Sequence, residues 1–228
     1  MDSGRNDKAY MKYDKLLKDN WNFFAERDAI KAIITNFTGT KKDFFQRGID
    51  EVNHIIEKKV SIDTINKYEK SFAVDFGCGI GRLTKPLAKH FDVAVGIDIS
   101  EKMLEVARHE ASARNAQYLE CQNSDKLPIA SNCVDFILSL QVLQHIPRVY
   151  KINIFKEFYR MLRKKGKVYF EHPYSGKEAI HDNHVMHMDV WGINKLGDTL
   201  TDIGFKVLNI ESLGDKDLWP RAAYTLVK

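Results

Sequence analysis

A buried strand running straight into a glycine-rich turn constrains this chain more than any other feature. Phe72-Ala-Val-Asp-Phe-Gly-Cys-Gly-Ile-Gly-Arg-Leu83 reads as strand, turn and helix start, and Val93-Ala-Val-Gly-Ile-Asp-Ile-Ser100 as a second strand ending in an acid. Gly77, Gly79 and Gly81 stand at the strand-to-helix junction, where the absence of a Cβ lets backbone come close to a ligand. Asp98 then falls at the carboxyl end of the neighbouring strand, which is where open α/β sheets bind ligands.

The turn sits inside a longer alternation. From Ser71 the sequence predicts strands near 72–76, 92–97, 116–120, 134–139 and 167–171, with helices near 82–90, 101–113 and 149–163. Such alternation implies a Rossmann-like, doubly wound α/β sheet, mostly parallel, with helices on both faces. The end differs: after a helix near 195–203 come Gly204 and strands near 205–211 and 222–227, too close for a crossover, so they form an antiparallel hairpin. Residues 1–70 read as a helical extension packed on a core domain over 71–228. Ile30, Ile33, Ile34 and Phe37 fall on one helical face and Phe45, Ile49, Val52 and Ile56 on another, with Gly39 as the break between them.

Gross properties narrow the classes. At 228 residues, 44% hydrophobic and 29% charged, the chain suits a soluble globular protein. No apolar run approaches the ~20 residues of a membrane span, and the first residues lack the apolar core of a secretory signal. A net charge of +4 spread along the sequence does not point to nucleic acid. The one dense basic cluster, Arg160, Arg163, Lys164, Lys165 and Lys167, is expected at a helix end, offsetting the dipole. Cys78, Cys121 and Cys133 have neither the count nor the spacing of a disulfide framework or zinc site, so a reduced, cytoplasmic setting is expected.

The chemistry at the strand ends separates two cofactor classes. A dinucleotide fingerprint places its third glycine where this chain has Arg82, and Asp75 before the turn would repel a pyrophosphate but attract a cation. Asp75-Phe-Gly-Cys-Gly-Ile-Gly81 resembles motif I of the class I S-adenosylmethionine-dependent methyltransferases. The resemblance continues through Gly96-Ile-Asp-Ile-Ser100, Gln122-Asn-Ser-Asp-Lys-Leu-Pro128, Asp135-Phe-Ile-Leu-Ser139 and the terminal hairpin, covering roughly residues 70–228. It implies a seven-stranded sheet with one antiparallel strand, and S-adenosyl-L-methionine as cofactor. In its terms Gly77 and Gly79 approach the methionine part, Asp75 faces the ammonium directly or through water, Asp98 accepts the ribose hydroxyls, and Ile99 and Met103 pack on the adenine. Cys78, Arg82, Leu140 and Gln141 border the same ligand. Asn123 stands where the family usually has an acid; its amide oxygen accepts from the adenine amino group, and Ser124 supplies a backbone N–H. A loop shifted by two residues would use Asp125 instead.

Ser139-Leu-Gln-Val-Leu-Gln-His-Ile-Pro147 follows the fourth strand, and in the resembling family this turn borders both cofactor and acceptor, so Gln144 and His145 are acceptor candidates. His145, His172 and His187 are the candidate bases, since an imidazole titrates near neutrality. His184-x-x-His187-x-Asp189 has a superficial metal spacing in a segment that reads as a loop facing the acceptor; no metal is expected. Tyr13 and Trp21, on the N-terminal helices, are placed against the acceptor, with part of this segment closing over the cofactor. Trp21 and its surroundings are similar to the prelude of a bacterial methyltransferase subgroup associated with glycan genes. The implied reaction moves a methyl group to an oxygen of a small molecule or sugar. The rival readings are a nitrogen acceptor, a nicotinamide oxidoreductase and a non-catalytic nucleotide-binding module. Oligomeric state is left open.

Overall fold

The structure is a computed structural model describing residues 7–34, 36–60, 70–122, 125–175, 179–182, 187–214 and 220–228. Its strands, in chain order, are β1 Phe72–Phe76, β2 Val93–Asp98, β3 Ala116–Glu120, β4 Val134–Ser139, β5 Leu162–Pro173, β6 Ala179–Asp182, β7 His187–Val190, β8 Lys206–Ser212 and β9 Arg221–Val227. The helices are α1 Asp7–Ile33, α2 Lys41–His54, α3 Thr84–Leu87, α4 Glu101–Glu110, α5 Arg148–Met161 and α6 Ile193–Ile203. A seven-stranded sheet runs β3-β2-β1-β4-β5-β9-β8, and β6 and β7 pair separately. The first five strands of that order are mutually parallel, and β9 is antiparallel to both neighbours. No described helix is long and apolar enough to cross a membrane.

β1 lies at the centre, and its alternate side chains enter opposite cores, as the two-residue strand period requires. Val74 and Phe76 join Ile97, Ile154, Phe155 and Phe158 on one face. Ala73 joins Val52, Ile55, Leu87 and Phe136 on the other. There the rings of Phe91 and Phe136 stack 5.8 Å apart at 6°, an arrangement worth ~0.5–1.5 kcal/mol beyond area burial.

Three segments depart from the sequence expectations. The helix expected near 82–90 is regular only over Thr84–Leu87. Helical bonds run on from Lys85 N to Gly81 O and from Phe91 N to Leu87 O, but Pro86 has no N–H to donate. The basic cluster is not gathered at a helix end: α5 stops at Met161, and Arg163, Lys164, Lys165 and Lys167 belong to β5. Arg160 pairs with Glu157 at 2.7 Å and Arg163 with Asp135 at 2.9 Å. The segment expected to be a loop around His187 forms the β6–β7 pair, whose four-residue strands are too short to show a period.

The N-terminal helices are tied to the core at specific points. α1 bends at Asp28, where the backbone is extended (φ −163°, ψ 92°) and the carboxylate accepts from Lys31 N at 3.1 Å, the geometry of a new N-cap. Thr40 and Asp43 close a reciprocal capping box at the start of α2. Gly48 of α2 lies so near the glycine-rich turn that a Cβ there would stand 2.4 Å from the carbonyl oxygen of Arg82. Gly48→Ala is therefore expected to lower unfolding free energy by about 1–3 kcal/mol, the usual cost of overpacking. Urea denaturation measures it, and an unchanged midpoint would show that α2 is free to shift.

Candidate cofactor and acceptor site

The glycine turn is pinned to the end of β2. Gly77 N and Cys78 N both donate to Ile97 O, at 2.7 and 3.1 Å. Asp98 accepts from Gly79 N at 2.8 Å through one carboxylate oxygen and from Ser100 N at 2.9 Å through the other. Burial pushes the Asp98 carboxyl above its usual range, and these N–H bonds oppose the rise. Gly77, Gly79 and Gly81 all have positive φ, at 74°, 50° and 79°. They also admit close protein neighbours, since a Cβ on Gly77 would meet Val142 at 2.3 Å and one on Gly79 would meet Ile33 at 2.8 Å.

Above this floor is a cavity of about 520 Å³, within the ~300–1,000 Å³ of small-molecule sites. Gly77, Gly79, Arg82, Asp98, Ile99 and Met103 line it as expected, and Leu140 and Gln141 join them from the end of β4. Gln141 holds φ at 60°, a left-handed conformation unusual for a residue with a long side chain. Arg82 carries no unbalanced charge into the cavity, because Glu51 lies 2.5 Å from its guanidinium.

Asp75 and Cys78 do not line the cavity. Asp75 is 1% exposed and accepts from Thr84 Oγ1 at 2.6 Å. Burial pushes its carboxyl up to about 7. It ties the end of β1 to the start of α3. Cys78 is buried under the turn and also off the wall, and burial raises its thiol well above the usual range.

On the other side, at the ends of β4, β5 and β9, the wall is made by Trp21, Gln144, His145, Ile146, Tyr150, Pro173, Met188 and Arg221. The rings of Trp21 and His145 meet edge to face at 5.7 Å. Trp21 arrives from α1, which is fastened across the strand ends. Asn22 Oδ1 accepts from Ser100 Oγ at 2.8 Å, and Lys18 pairs with Glu120. Asn123, Ser124 and His184 lie outside the described residues, as do the side chains of Tyr13 and His187. Asp125, the alternative to Asn123, accepts from Asn153 Nδ2 at 2.8 Å and does not line the cavity.

His172 is also off the cavity wall. It is 1% exposed, and both ring nitrogens are committed. Nδ1 donates to Pro173 O at 2.7 Å, and Nε2 accepts from Lys151 Nζ at 2.8 Å. Lys151 reaches Asp189 at 3.2 Å, and Asp189 also accepts from Arg148 at 3.0 Å and from Trp191 Nε1 at 2.6 Å. Sequence reasoning missed this buried cluster, because its members are far apart in the chain. Pro173, Met188 and Tyr150, each next to a cluster member in sequence, stand on the cavity wall.

Burial, reinforced by the Lys151 ammonium, holds the His172 imidazole down at about 3. Below its ordinary value of about 6.5 the unfolded chain takes up a proton that the folded chain refuses, so stability falls as pH drops from there towards 3. In that window the residue is expected to contribute a slope of up to about 1.4 kcal/mol per pH unit. His172→Gln keeps an acceptor for Lys151 and should lose that slope. Urea midpoints across acid pH check it; parallel curves for the two proteins would contradict the assignment.

Comparison with known proteins converges on one class. Residues 74–170 match the family described as Methyltransferase domain. The ubiquinone biosynthesis O-methyltransferase of Coxiella burnetii is 31% identical over 99 residues, 42% of this chain and 41% of that one. The demethylmenaquinone methyltransferase of Lactobacillus johnsonii is 30% identical over 161 residues, 61% and 64% of the two chains. The chain thus spans about two fifths of the length of the first of these relatives. In structure, the 1,6-didemethyltoxoflavin-N1-methyltransferase of Burkholderia thailandensis, solved with S-adenosylhomocysteine, superposes with a TM-score of 0.69 at 16% identity, covering 100% of this chain and 93% of that one. A methyltransferase from Leishmania major gives 0.71 at 16% identity, covering 91% and 81%; likeness at this identity speaks to the fold. Sheet order, glycine turn and strand-end acid together define a class I methyltransferase fold. Over residues 74–170 the chain is similar to that methyltransferase domain, and its fold is that of the class I S-adenosylmethionine-dependent methyltransferases.

Proposed function

We propose that this protein is an enzyme that uses S-adenosyl-L-methionine to methylate an oxygen or nitrogen of a small molecule. The observation that carries it is Asp98. Each of its oxygens holds one backbone N–H and keeps further lone pairs at the cavity, so the carboxylate can accept both hydroxyls of a ribose. The rest of that half fits the same ligand. Ile99, Met103 and Leu140 supply apolar surface for a flat base, and the Arg82–Glu51 pair leaves no excess positive charge to oppose a sulfonium. When bound, S-adenosylmethionine supplies a methyl carbon that the acceptor's lone pair displaces from sulfur, leaving S-adenosylhomocysteine.

The chain's own work is to orient and to manage one proton. The turn bonded to Ile97 and Asp98 fixes the donor half without reorganisation, and Trp21, Ile146 and Tyr150 exclude water from the acceptor half. For a hydroxyl acceptor a new oxygen–carbon bond forms as the O–H proton leaves, and His145 is the imidazole on the wall able to receive it. The carboxylate and histidine assignments are tested separately.

Thermal shift with S-adenosylhomocysteine, NADH and ATP at equal concentration should show stabilisation by the first, and Asp98→Ala should weaken that ligand roughly 10- to 100-fold, as loss of hydrogen bonds to a charged group does. Stabilisation by NADH instead would replace this reading with a nicotinamide enzyme. In a radiolabelled methyl-transfer assay on an acceptor screen, His145→Ala should lower kcat about 10²–10⁴-fold for a hydroxyl acceptor while S-adenosylhomocysteine affinity holds. Unchanged turnover would remove His145 as the base.

A further inference from the structure

The acceptor half is nearly closed to a polyhydroxylated or charged compound, and this extends the methyltransferase reading on which it rests. Its apolar surfaces are those of Trp21, Ile146, Tyr150, Ile154, Pro173 and Met188, beside the polar Gln144 and His145. The ionic groups nearby answer one another. Arg221 lies 3.0 Å from Glu171, and Arg148 and Lys151 both bind Asp189. Asp14, two turns before Trp21 on α1, is likewise engaged. A sugar buried here would leave most of its hydroxyls without partners, each at a desolvation cost.

One polar group stands out against this background. Gln144 lines the cavity, is 8% exposed, and its Oε1 is buried with no hydrogen-bond partner among the described residues. Buried amide oxygens are satisfied in the great majority of cases, so one left open on a cavity wall points to a donor brought by a ligand. It immediately precedes His145, both lying on the short turn Leu143–His145 that faces Trp21. The donor half is held one strand over, by the tips of β1 and β2, so the unanswered amide belongs on the acceptor's side.

We infer that the methyl acceptor is a neutral, largely apolar ring compound bearing an O–H or N–H, and that the Gln144 amide reads that group while the aromatic and aliphatic walls take the ring. The sugar or glycan precursor expected from the sequence does not suit this chamber.

The test uses the full chain saturated with S-adenosylhomocysteine, whose own titration comes first and judges the methyltransferase reading by itself. Phenol, anisole and methyl glucoside are then titrated by NMR chemical-shift perturbation. Phenol and anisole share the ring and its oxygen and differ by one methyl group, and only phenol donates. The expected result is phenol binding roughly tenfold or more tightly than anisole, with methyl glucoside weaker than both. Gln144→Met, close in volume, should erase the preference for phenol without changing S-adenosylhomocysteine affinity, and Gln144→Glu, which keeps an acceptor oxygen, should retain it. The inference is overturned if methyl glucoside binds best, if none of the three binds, or if wild type does not distinguish phenol from anisole. It also falls if Gln144→Met keeps the preference, or loses S-adenosylhomocysteine affinity in parallel, which would assign the amide to the cofactor.

Discussion

The site depends on the bonds that clamp the glycine turn to the end of β2. Ile97 O takes two N–H groups from the turn, and Asp98 takes one from Gly79 and one from Ser100. Two neighbouring strand tips become a single rigid edge, and α4 starts from the same place through Ser100, whose hydroxyl accepts from Met103 N at 3.1 Å. Without side chains at Gly77 and Gly79, backbone donors can reach Asp98 and Ile97 while Val142 and Ile33 close in from above. The order of causes runs from glycine to turn geometry, and from turn geometry to a carboxylate held at a cavity edge.

A second frame sits on the far side of the sheet centre. Lys151, His172, Asp189, Arg148 and Trp191 join α5, the end of β5 and β7 into one buried polar knot. Burial holds the Lys151 ammonium down at about 8, against the pull of Asp189. Ion pairs of this kind add little net stability compared with well-packed apolar groups, yet breaking one partner away is costly. Their effect here is geometric, because Tyr150, Pro173 and Met188 reach the cavity from backbone that the knot holds.

Local pattern made much of this legible. The strands near the glycine turn, the strand-end Asp98 and the terminal antiparallel pair follow from period, spacing and connection length, and each lies where the sequence puts it. What escaped was set by tertiary contact. Asp75 looks like a ligand-facing acid at a strand end, but the Thr84 hydroxyl nine residues later turns it inward. His172 looks like a free strand-end base, and only the approach of α5 shows that Lys151 has claimed it. The wall residues Tyr150, Met188 and Arg221 carry no motif at all. Their positions come from where helices and hairpins land.

Gln141 has a consequence that reaches beyond binding. Its main chain sits in a region that costs an L-residue roughly 1–2 kcal/mol, with glycine, asparagine and aspartate the usual exceptions. Valine or isoleucine at this position would strain against its own Cβ before meeting any ligand. Torsion angles alone thus narrow the residues that position 141 can hold without strain, and a long amide there runs against the cheapest backbone solution.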